Sequence, residues 1–233
     1  MVSLSTTVII PVHNGERYLA AAIRSILDQT RLPAEILVVD DGSTDGSAAI
    51  ARAFDPPVHV LTQANLGPAA ARNLGVEHAS SDLLAFLDAD DLWMPNKLAR
   101  QLLAIETDRA LDAVLGQVEN FVSPELEASE AAKLARNAAL SGEFHIGALL
   151  IRRDAFLRVG WFDIRLRHGE FIDWWSRAMQ LDLIYTVMPQ LVLRRRLHAN
   201  NLTRREQDGR SGYPAVLRHH LARQRNRARM EPE

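Results

Sequence analysis

The sequence predicts an α/β fold in which a mostly parallel central sheet is flanked by helices, with a smaller and less regular region after it. Short apolar runs rich in Val and Ile alternate with helix-like segments through the first part of the chain. Strands and helices alternating in this order need right-handed crossovers, which make neighbouring strands parallel and place helices on both faces of the sheet. At 233 residues with 47% hydrophobic residues, the chain suits one substantial domain.

Four strands are predicted in this first part, because each run is short, apolar and closed by turn-forming residues. They lie at 7–12, 35–40, 58–62 and 82–88. Asn14 is predicted to cap the first helix. The apolar residues of that helix share one face at the spacing i, i+3, i+4, i+7, i+8: Leu19, Ala22, Ile23, Ile26 and Leu27. Ser43 or Thr44 is predicted to begin a second helix that runs through Phe54, and Pro68 suits the first turn of a third.

The remainder of the chain has weaker patterns. Its predicted elements are helices at 95–106 and 172–181, strands at 112–122 and 147–152, and a strand pair at 183–196 interrupted by Pro189. Residues 123–139, rich in Ala and Glu, are predicted to form an exposed helical insertion. Residues 204–233 are predicted to be a basic helix or a disordered tail.

Composition excludes several classes of protein and site. Without any cysteine, the chain has neither disulfides nor thiolate ligands or nucleophiles, which allows a reducing compartment. The first residues lack the basic and apolar regions of a signal peptide, and no apolar stretch reaches the roughly 20 residues of a membrane helix. We therefore expect a cytoplasmic, soluble protein. Its net charge of −2 hides a basic C-terminal part, with eleven arginines from Arg194 to Arg229.

The segment AFLDADDLW ends an apolar strand with three carboxylates, Asp88, Asp90 and Asp91. Carboxylates this close repel one another unless a positive charge lies between them, so the pattern indicates a divalent cation, Mg²⁺ or Mn²⁺. The alternative is a solvated acidic turn. Asp40 and Asp41, in VVDDGSTDGS, end another strand and either cap the next helix or bind a nucleotide, with Asp40 accepting a hydrogen bond from a base. Both groups belong at the carboxyl edge of a parallel sheet, where such folds bind ligands.

Four motifs occur in the order and spacing of a known family: VIIPVHNGERYLAAAIRSILDQT, ILVVDDGSTD, NLGPAAARNLG and LAFLDADDLW. The chain thereby resembles the family 2 glycosyltransferases, which have the GT-A fold with a Rossmann-like sheet. Three later segments look like the acceptor half of the same family: GALLIRRDAFLRVGWFD, GEFIDWWSRA and LVLRRRLHANNLT. The resemblance implies one GT-A domain at 1–203, with a nucleotide-binding half at about 1–93 and an acceptor half at about 94–203, followed by a basic tail at 204–233.

The resemblance also implies a nucleotide-sugar donor, usually a UDP-sugar, whose diphosphate is held through a metal by the D-x-D acids. The residues that match nucleotide-binding positions are Pro11, His13, Asn14, Asp40, Asp41, Arg72, Asp88 and Ala89. Asp40 matches the acid that pairs with uracil. Arg72 matches a basic residue that reaches toward the base or phosphates, although without the family it fits an exposed helix residue equally well. Asp88 and Asp90 match the metal pair, and His198 matches a histidine that completes the metal sphere in some members.

An inverting sugar transfer needs a base that deprotonates the acceptor hydroxyl. In the family this base comes from an E-D pair that opens a helix, and the matching segment here is GEFIDWW. Glu170 keeps its position, but Phe171 stands where the second acid is usual. Glu170 and Asp173 share a helix face and are the candidate bases, of which Asp173 is preferred. Trp174 and Trp175 either stack on sugar rings or pack in the core.

Phe171 also motivates an alternative function, a nucleotide-sugar-binding or scaffold protein without turnover. Other enzyme classes fit less well: PVHNGERYL is not the glycine-rich, basic loop of a nucleotidyltransferase, and no G-x-G-x-x-G follows the first strand. The expected acceptor is a glycan, a lipid-linked molecule or another hydroxyl compound. One or two of Arg194, Arg195 and Arg196 are expected to face the diphosphate. The basic tail is expected to contact the inner membrane surface rather than nucleic acid, since Tyr213 is the one aromatic residue among its arginines.

Overall fold

The structure, a computed structural model, describes residues 4–127, 129, 132, 144–166 and 168–198. Within these residues the chain forms one eight-stranded sheet with helices on both faces. The strands are β1 (Thr6–Val12), β2 (Glu35–Asp41), β3 (Val58–Gln63), β4 (Leu83–Phe86), β5 (Leu92–Trp93), β6 (Ala113–Val122), β7 (Leu150–Arg152) and β8 (Tyr185–Leu197). The helices are α1 (Leu19–Leu27), α2 (Ser47–Arg52), α3 (Pro68–His78), α4 (Lys97–Thr107), α5 (Arg153–Val159) and α6 (Glu170–Gln180), with a 3₁₀ turn at Ile146–Ala148.

The sheet is parallel on one side and mixed on the other. Its strand order is β3-β2-β1-β4-β7-β6-β8-β5, and the first four strands are parallel to one another. β7 runs antiparallel to both β4 and β6, β8 runs parallel to β6, and β5 runs antiparallel to β8. The predicted α/β class is confirmed, and each antiparallel pairing includes a strand from the part of the chain with the weaker sequence patterns.

Side chains alternate between the two faces along each strand, as β1 illustrates. Val8 and Ile10 pack into a core layer with α1 and α4, whereas Ile9 packs into a second layer with α3, α5 and α6. All three side chains are fully buried. Because helices cover both faces, β1, β2 and β4 consist largely of continuous buried apolar runs rather than alternating apolar and polar residues.

The first helix begins later than the sequence predicts. Asn14 is not its N-cap but takes a left-handed conformation with φ of +51°. Residues 16–18 form a turn, and Tyr18 is the N-cap of α1. The Asn14 side chain instead accepts a hydrogen bond from Thr44 N at 2.8 Å. Asn14, predicted to cap α1, therefore connects the loop after β1 to the loop after β2.

The second helix also begins later, at Ser47 rather than at Ser43 or Thr44. Asp45 Oδ1 accepts hydrogen bonds from the backbone N and the hydroxyl of Ser47, at 2.9 and 2.5 Å. Asp45 thus satisfies donors at the start of α2, and the preceding residues stay in the loop. The predicted limit at Phe54 is likewise too long, since α2 ends at Arg52.

The strand pair predicted at 183–196 is a single strand. β8 runs unbroken through Pro189, and its register against β6 shifts between Leu115 and Gln117, opposite the proline. The shift accommodates a residue that cannot donate to a sheet ladder. The helix predicted at 172–181 is α6, which begins two residues earlier, at Glu170. The strand predicted at 147–152 begins only at Leu150, because the residues before it form the 3₁₀ turn Ile146–Ala148. The short elements β5 and α5 have no counterpart in the prediction.

Two predicted segments lie largely outside the described residues. Of the insertion predicted at 123–139, only 123–127, 129 and 132 are described, and the tail predicted at 204–233 lies wholly beyond them. Among the helices of the described chain, none combines the length and the apolar character needed to cross a bilayer.

Candidate active site

The carboxyl ends of β1, β2 and β4 meet at one edge of the sheet and carry most of the predicted site residues. Val12 of β1 is paired with Asp40 of β2, and Ile9 of β1 with Phe86 of β4, so the loops after these strands are neighbours. Open parallel sheets bind ligands at this edge. The fold therefore brings together loops that are far apart in the sequence.

Asp41 organises the loop that leads into α3. Its carboxylate accepts three hydrogen bonds, from Gln63 Nε2 at 2.7 Å and from the backbone N–H groups of Leu66 and Gly67, both at 2.8 Å. Gly67 has a φ of +94°, which glycine adopts without strain, and it is the N-cap of α3. Both carboxylate oxygens of Asp41 are thus engaged by the chain itself, so Asp41 fixes the position of the loop before α3.

The remaining candidates after β1 and β2 form a polar rim. His13 Nδ1 donates to the carbonyl oxygen of Asp41 at 2.9 Å, so its Nε2 accepts from Asn65 Nδ2 at 3.2 Å and from Asn14 Nδ2 at 3.3 Å. Asp40 is buried, and its Oδ1 accepts from Ser43 N at 3.0 Å.

Two further candidates for nucleotide binding, Pro11 and Ala89, pack against the protein itself. Pro11 is buried within β1 opposite Val39, so its ring belongs to the packing of the strand. Ala89 is half-buried and packs against the apolar core between two acids of the cluster. Their predicted contacts with a nucleotide stay predictions.

Arg72 joins the two halves of the chain. It lies on α3 with 4% of its surface exposed, so it is not the exposed helix residue that its pattern also allowed. Its Nη2 donates to Asp88 Oδ1 at 2.6 Å, and its Nη1 donates to Glu170 Oε1 at 2.5 Å. One guanidinium thereby connects an acid of the β4 loop to an acid at the start of α6.

The charges of this network shift its pKa values. Burial alone would raise the pKa of Asp88, but opposing effects, of which the charge of Arg72 is the largest, hold that pKa below its ordinary value. Burial likewise opposes the charge of Arg72, and the two carboxylates outweigh it and raise the Arg72 pKa. Asp88 is therefore ionised at neutral pH, which suits a ligand for a cation or a cationic side chain.

The three acids after β4 differ in their surroundings. Asp90 Oδ2 lies 2.9 Å from His198 Nε2. Asp91 is buried, and its Oδ1 accepts from Arg196 N at 2.8 Å. Burial, together with the charges of Asp90 and Asp88, raises the pKa of Asp91 well above its ordinary value. A divalent cation among these acids would relieve that repulsion, so the donor set fits the predicted Mg²⁺ or Mn²⁺.

His145 is a member of the cluster that the sequence did not reveal. Its Nε2 lies 3.7 Å from Asp88 Oδ2 and 3.9 Å from Asp91 Oδ2. One ligand atom from each of these three residues lies within 4.8 Å of the others, a grouping that could hold a metal ion. Burial is the main cause that lowers the pKa of His145 to about 4, with smaller effects of the same sign from Arg195 and Arg72. A lone histidine before a short strand carries no spacing signal, so sequence patterns could not find it.

The end of β8 supplies the other side of the cluster. Arg194 pairs with Glu119 at 3.0 Å, whereas Arg196 donates through Nε to the carbonyl oxygen of Asp90 at 2.9 Å. Arg195 contributes positive charge that acts on the pKa values of Asp88, Asp91 and His145. The charge of Arg195 therefore acts on the acids, while Arg196 contacts them through hydrogen bonds.

The two candidate bases of α6 have different partners. Glu170 is 8% exposed and bonds Arg72, which bonds Asp88. Asp173 is 1% exposed, and its Oδ2 pairs with Arg177 Nε at 3.1 Å. Of the two acids, Glu170 is thus the one connected to the acids of the β4 loop, through the single residue Arg72.

The aromatic residues of GEFIDWW pack against one another. Trp174 is fully buried, stacks on Phe156 at 5.0 Å between ring centroids, and donates from Nε1 to the carbonyl oxygen of Gly160 at 2.7 Å. Phe171 is buried with its ring 5.9 Å from that of Trp175. Phe171 therefore fills apolar space at the position where the resemblance leads one to expect an acid, and Trp174 belongs to the core.

Comparison with known proteins identifies the family. The model described as glycosyl transferase family 2 matches residues 7–156. The chain belongs to glycosyltransferase family 2. An uncharacterised glycosyltransferase of Rickettsia typhi is 30% identical to this family 2 chain over 190 residues, which cover 77% of the chain and 60% of that protein. One from Haemophilus influenzae is 44% identical over 100 residues, covering 41% of the chain and 40% of that protein. The chain thus spans 60% or less of the length of these relatives.

Solved structures of S. aureus TarS share the fold. The crystal structure of TarS 1–349 matches with a TM-score of 0.67 and 20% identity, covering 83% of this family 2 chain and 60% of that one. The complex of TarS 1–349 with UDP matches with a TM-score of 0.66. The family and the GT-A fold, both inferred from the sequence motifs, are confirmed.

Proposed function

We propose that this family 2 chain is an inverting glycosyltransferase that moves a sugar from a nucleotide-sugar, in the first instance a UDP-sugar, to an acceptor hydroxyl with the help of Mg²⁺ or Mn²⁺. The observation that carries the proposal is the bridge from Asp88 through Arg72 to Glu170. A donor diphosphate beside the acids of the β4 loop would lie next to an acid able to act on the acceptor. The UDP complex of TarS, which has the same fold, supports the choice of nucleotide.

The loops after β1 and β2 supply the contacts to the donor base in this proposal. Asp40 would accept a hydrogen bond from the uracil N–H, and His13 and Asn14 would line the same pocket. Asp41 would act through the loop that it holds, since its own oxygens accept from Gln63, Leu66 and Gly67.

Asp88 and Asp90 would hold the cation, with His198 completing the set. Adjacent ligands of an octahedral ion with bonds of 2.0–2.1 Å are about 2.9 Å apart, and Asp90 and His198 have that separation. When bound, the cation would neutralise the charge that develops on the departing diphosphate. Arg195 would add positive charge beside the same acids.

We assign the role of general base to Glu170, in place of the Asp173 preferred from the sequence. Glu170 and Asp88 are bonded to the same guanidinium, that of Arg72, whereas Asp173 is more deeply buried and paired with Arg177. Arg72 would orient the Glu170 carboxylate, leaving its second oxygen to accept the proton of the acceptor hydroxyl. The hydroxyl oxygen would then bond to the anomeric carbon as the bond from that carbon to the nucleoside diphosphate breaks.

Paired substitutions test this assignment. Glu170→Gln should lower the transfer rate by about 10²–10⁴-fold, while UDP-sugar affinity measured by calorimetry stays close to that of the wild type. Asp173→Asn should chiefly lower thermal stability, because it weakens the pairing with the Arg177 guanidinium. The reverse pattern, with transfer lost in Asp173→Asn and kept in Glu170→Gln, would restore Asp173 as the base.

The alternative function is a nucleotide-sugar-binding protein without turnover, and Phe171 is the observation that favours it. A thermal-shift screen of UDP-, GDP- and dTDP-sugars with and without Mn²⁺ tests donor binding, because a ligand that binds the folded state raises its stability. Donor hydrolysis then provides an assay of turnover that needs no known acceptor. Binding of a UDP-sugar without hydrolysis or transfer, unaffected by changes at both Glu170 and Asp173, would favour the non-catalytic function.

A further inference from the structure

Three buried side chains hold three consecutive carbonyl groups beside the acid cluster. Trp93 Nε1 donates to the carbonyl oxygen of Gly147 at 2.9 Å, Gln101 Nε2 to that of Ala148 at 2.8 Å, and Lys97 Nζ to that of Leu149 at 3.3 Å. The donors are four residues apart and lie on β5 and α4, with Lys97 and Gln101 fully buried. The acceptors belong to the 3₁₀ turn Ile146–Ala148 and the residue after it.

The same turn fixes the ring of His145. Gly147 N donates to His145 Nδ1 at 3.1 Å. Because Nδ1 accepts this bond, the neutral ring carries its proton on Nε2, the nitrogen that faces Asp88 and Asp91. A Cβ at Gly147 would lie 3.1 Å from His145 Nδ1 and 3.0 Å from Leu193 Cδ2, so the close approach of ring and backbone depends on glycine.

Lys97 places a polar amine in the core, where an apolar side chain would be the usual residue. Its amine nitrogen lies 2.7 Å from Gln101 Oε1 and 4.1 Å from the centroid of the Trp93 ring, and no carboxylate is among its partners in the described part of the chain. Burial lowers the pKa of Lys97 well below its ordinary value. A buried amine without a counter-ion costs more than an apolar side chain of similar volume.

We propose that Trp93, Lys97 and Gln101 form a positioning clamp on the 3₁₀ turn, and that this clamp turns the Nε2–H of His145 toward Asp88 and Asp91, so that His145 borders the acid cluster without being a metal ligand. The separations of 3.7 and 3.9 Å place His145 Nε2 close to both acids but beyond hydrogen-bonding distance of either. A nitrogen that carries a proton also has no lone pair for a metal. The role of His145 at a donor-diphosphate site rests on the proposed function, whereas the geometry of the clamp does not.

The tautomer of His145 is directly measurable. Two-bond ¹H–¹⁵N spectra of the full chain with ¹⁵N-labelled histidine, assigned by the signal lost in His145→Gln, should show the proton on Nε2. The spectrum should keep that tautomer when Mg²⁺ and UDP are added. Transfer of the proton to Nδ1 on addition of Mg²⁺ would make His145 a ligand and overturn the proposal, as would averaging of the two tautomers in the wild type.

Trp93→Phe tests the clamp, since it removes one donor and keeps an aromatic ring over Lys97. The single tautomer of His145 should be replaced by an averaged pattern, and UDP affinity in Mg²⁺ should fall by about ten-fold. Trp174→Phe is the matched control for the tautomer, because Trp174 Nε1 also donates to a glycine carbonyl oxygen, that of Gly160. An unchanged His145 pattern in Trp93→Phe, or an equal change in Trp174→Phe, would overturn the clamp.

Two further measurements distinguish failure of the clamp from misfolding of a variant and from failure of the proposed function. If Trp93→Phe does not fold, Lys97→Met removes a different donor of the clamp, and the same loss of a single tautomer is expected. If wild-type protein binds no nucleotide, the proposed function fails, while the spectra without nucleotide still decide whether the clamp fixes His145.

Discussion

Arg72 is the residue on which the two halves of the chain depend most directly, because its buried guanidinium bonds Asp88 and Glu170. Arg72→Met would leave two neighbouring acids without their cation, so we expect a loss of about 3 kcal/mol in the free energy of unfolding, measured by urea denaturation at pH 7. Arg165→Met is the control, since Arg165 forms an exposed pair with Asp163 and its removal should leave the urea midpoint unchanged. Equal effects of the two changes would show that burial of the Arg72 network contributes nothing.

Glu125 provides a pH-dependent contribution at the edge of the site. Hydroxyl groups of Ser123 and Tyr18 donate to its carboxylate and lower its pKa to about 2. Since the folded pKa lies below the ordinary value of 4.5, the carboxylate stabilises the fold above that pH, and the contribution is lost as pH falls from 4.5 toward 2. Glu125→Gln should therefore lower the urea midpoint at pH 7, and the difference from wild type should narrow below pH 4.5. A difference that stays constant down to pH 3 would contradict this account.

At the residue scale, sequence patterns predict the acids and miss their partners. Asp40, Asp41 and Asp88 could be predicted because each ends an apolar strand, and strand ends of a parallel sheet share one edge. His145 could not, and Arg195 could not be singled out from its two neighbouring arginines, since their proximity to the cluster depends on where β7 and β8 enter the sheet. The partners of Glu170 and Asp173 likewise depend on which neighbours α6 meets, so their equal spacing could not rank them.

At the scale of elements, apolar periodicity located the first four strands and α1, and Pro68 marked the start of α3, but the starts of α1 and α2 were predicted too early. The start of α1 depends on Asn14, whose bond to Thr44 N holds it in the loop. β5 is only two residues long, and it exists because Leu92 and Trp93 pair with β8 about a hundred residues later. No local window of sequence contains that information.

The packing of α3 on β1 gives a testable contact between elements. Gly75 lies where a Cβ would be 2.5 Å from Ile9 Cγ2. Gly75→Ala should destabilise the fold by about 2 kcal/mol, because overpacking outweighs the gain in helix propensity of roughly 1 kcal/mol. In an Ile9→Ala background the added methyl group should cost less, which thermal denaturation of all four proteins in the double-mutant cycle would measure. Additive costs would mean that the two residues do not press on each other.

At the scale of the whole molecule, the basic tail at 204–233 gives a prediction about location. Basic residues near an anionic membrane contribute about 1 kcal/mol each, so the full chain should cosediment with phosphatidylserine vesicles more strongly than a chain ending at Thr203. Uncharged phosphatidylcholine vesicles are the control, and UDP affinity should be the same for both chains. Equal binding of the two chains to anionic vesicles would remove the proposed membrane contact.

The fold class and family could be predicted for the whole molecule because four ordered motifs cover the parallel part of the sheet. The mixed part could not, since its strand order, β7-β6-β8-β5, departs from the order of the chain. His198 shows the consequence: its contact with Asp90 joins positions 108 residues apart.

The contact between His198 and Asp90 couples ligand binding at the acid cluster to the docking of β8. A ligand that needs both Asp90 and His198 can bind only while the end of β8 is docked, and β5 secures this end through two residue pairs. Occupancy of the site should thus slow amide hydrogen exchange in residues 194–198 and protect the chain there from proteolysis.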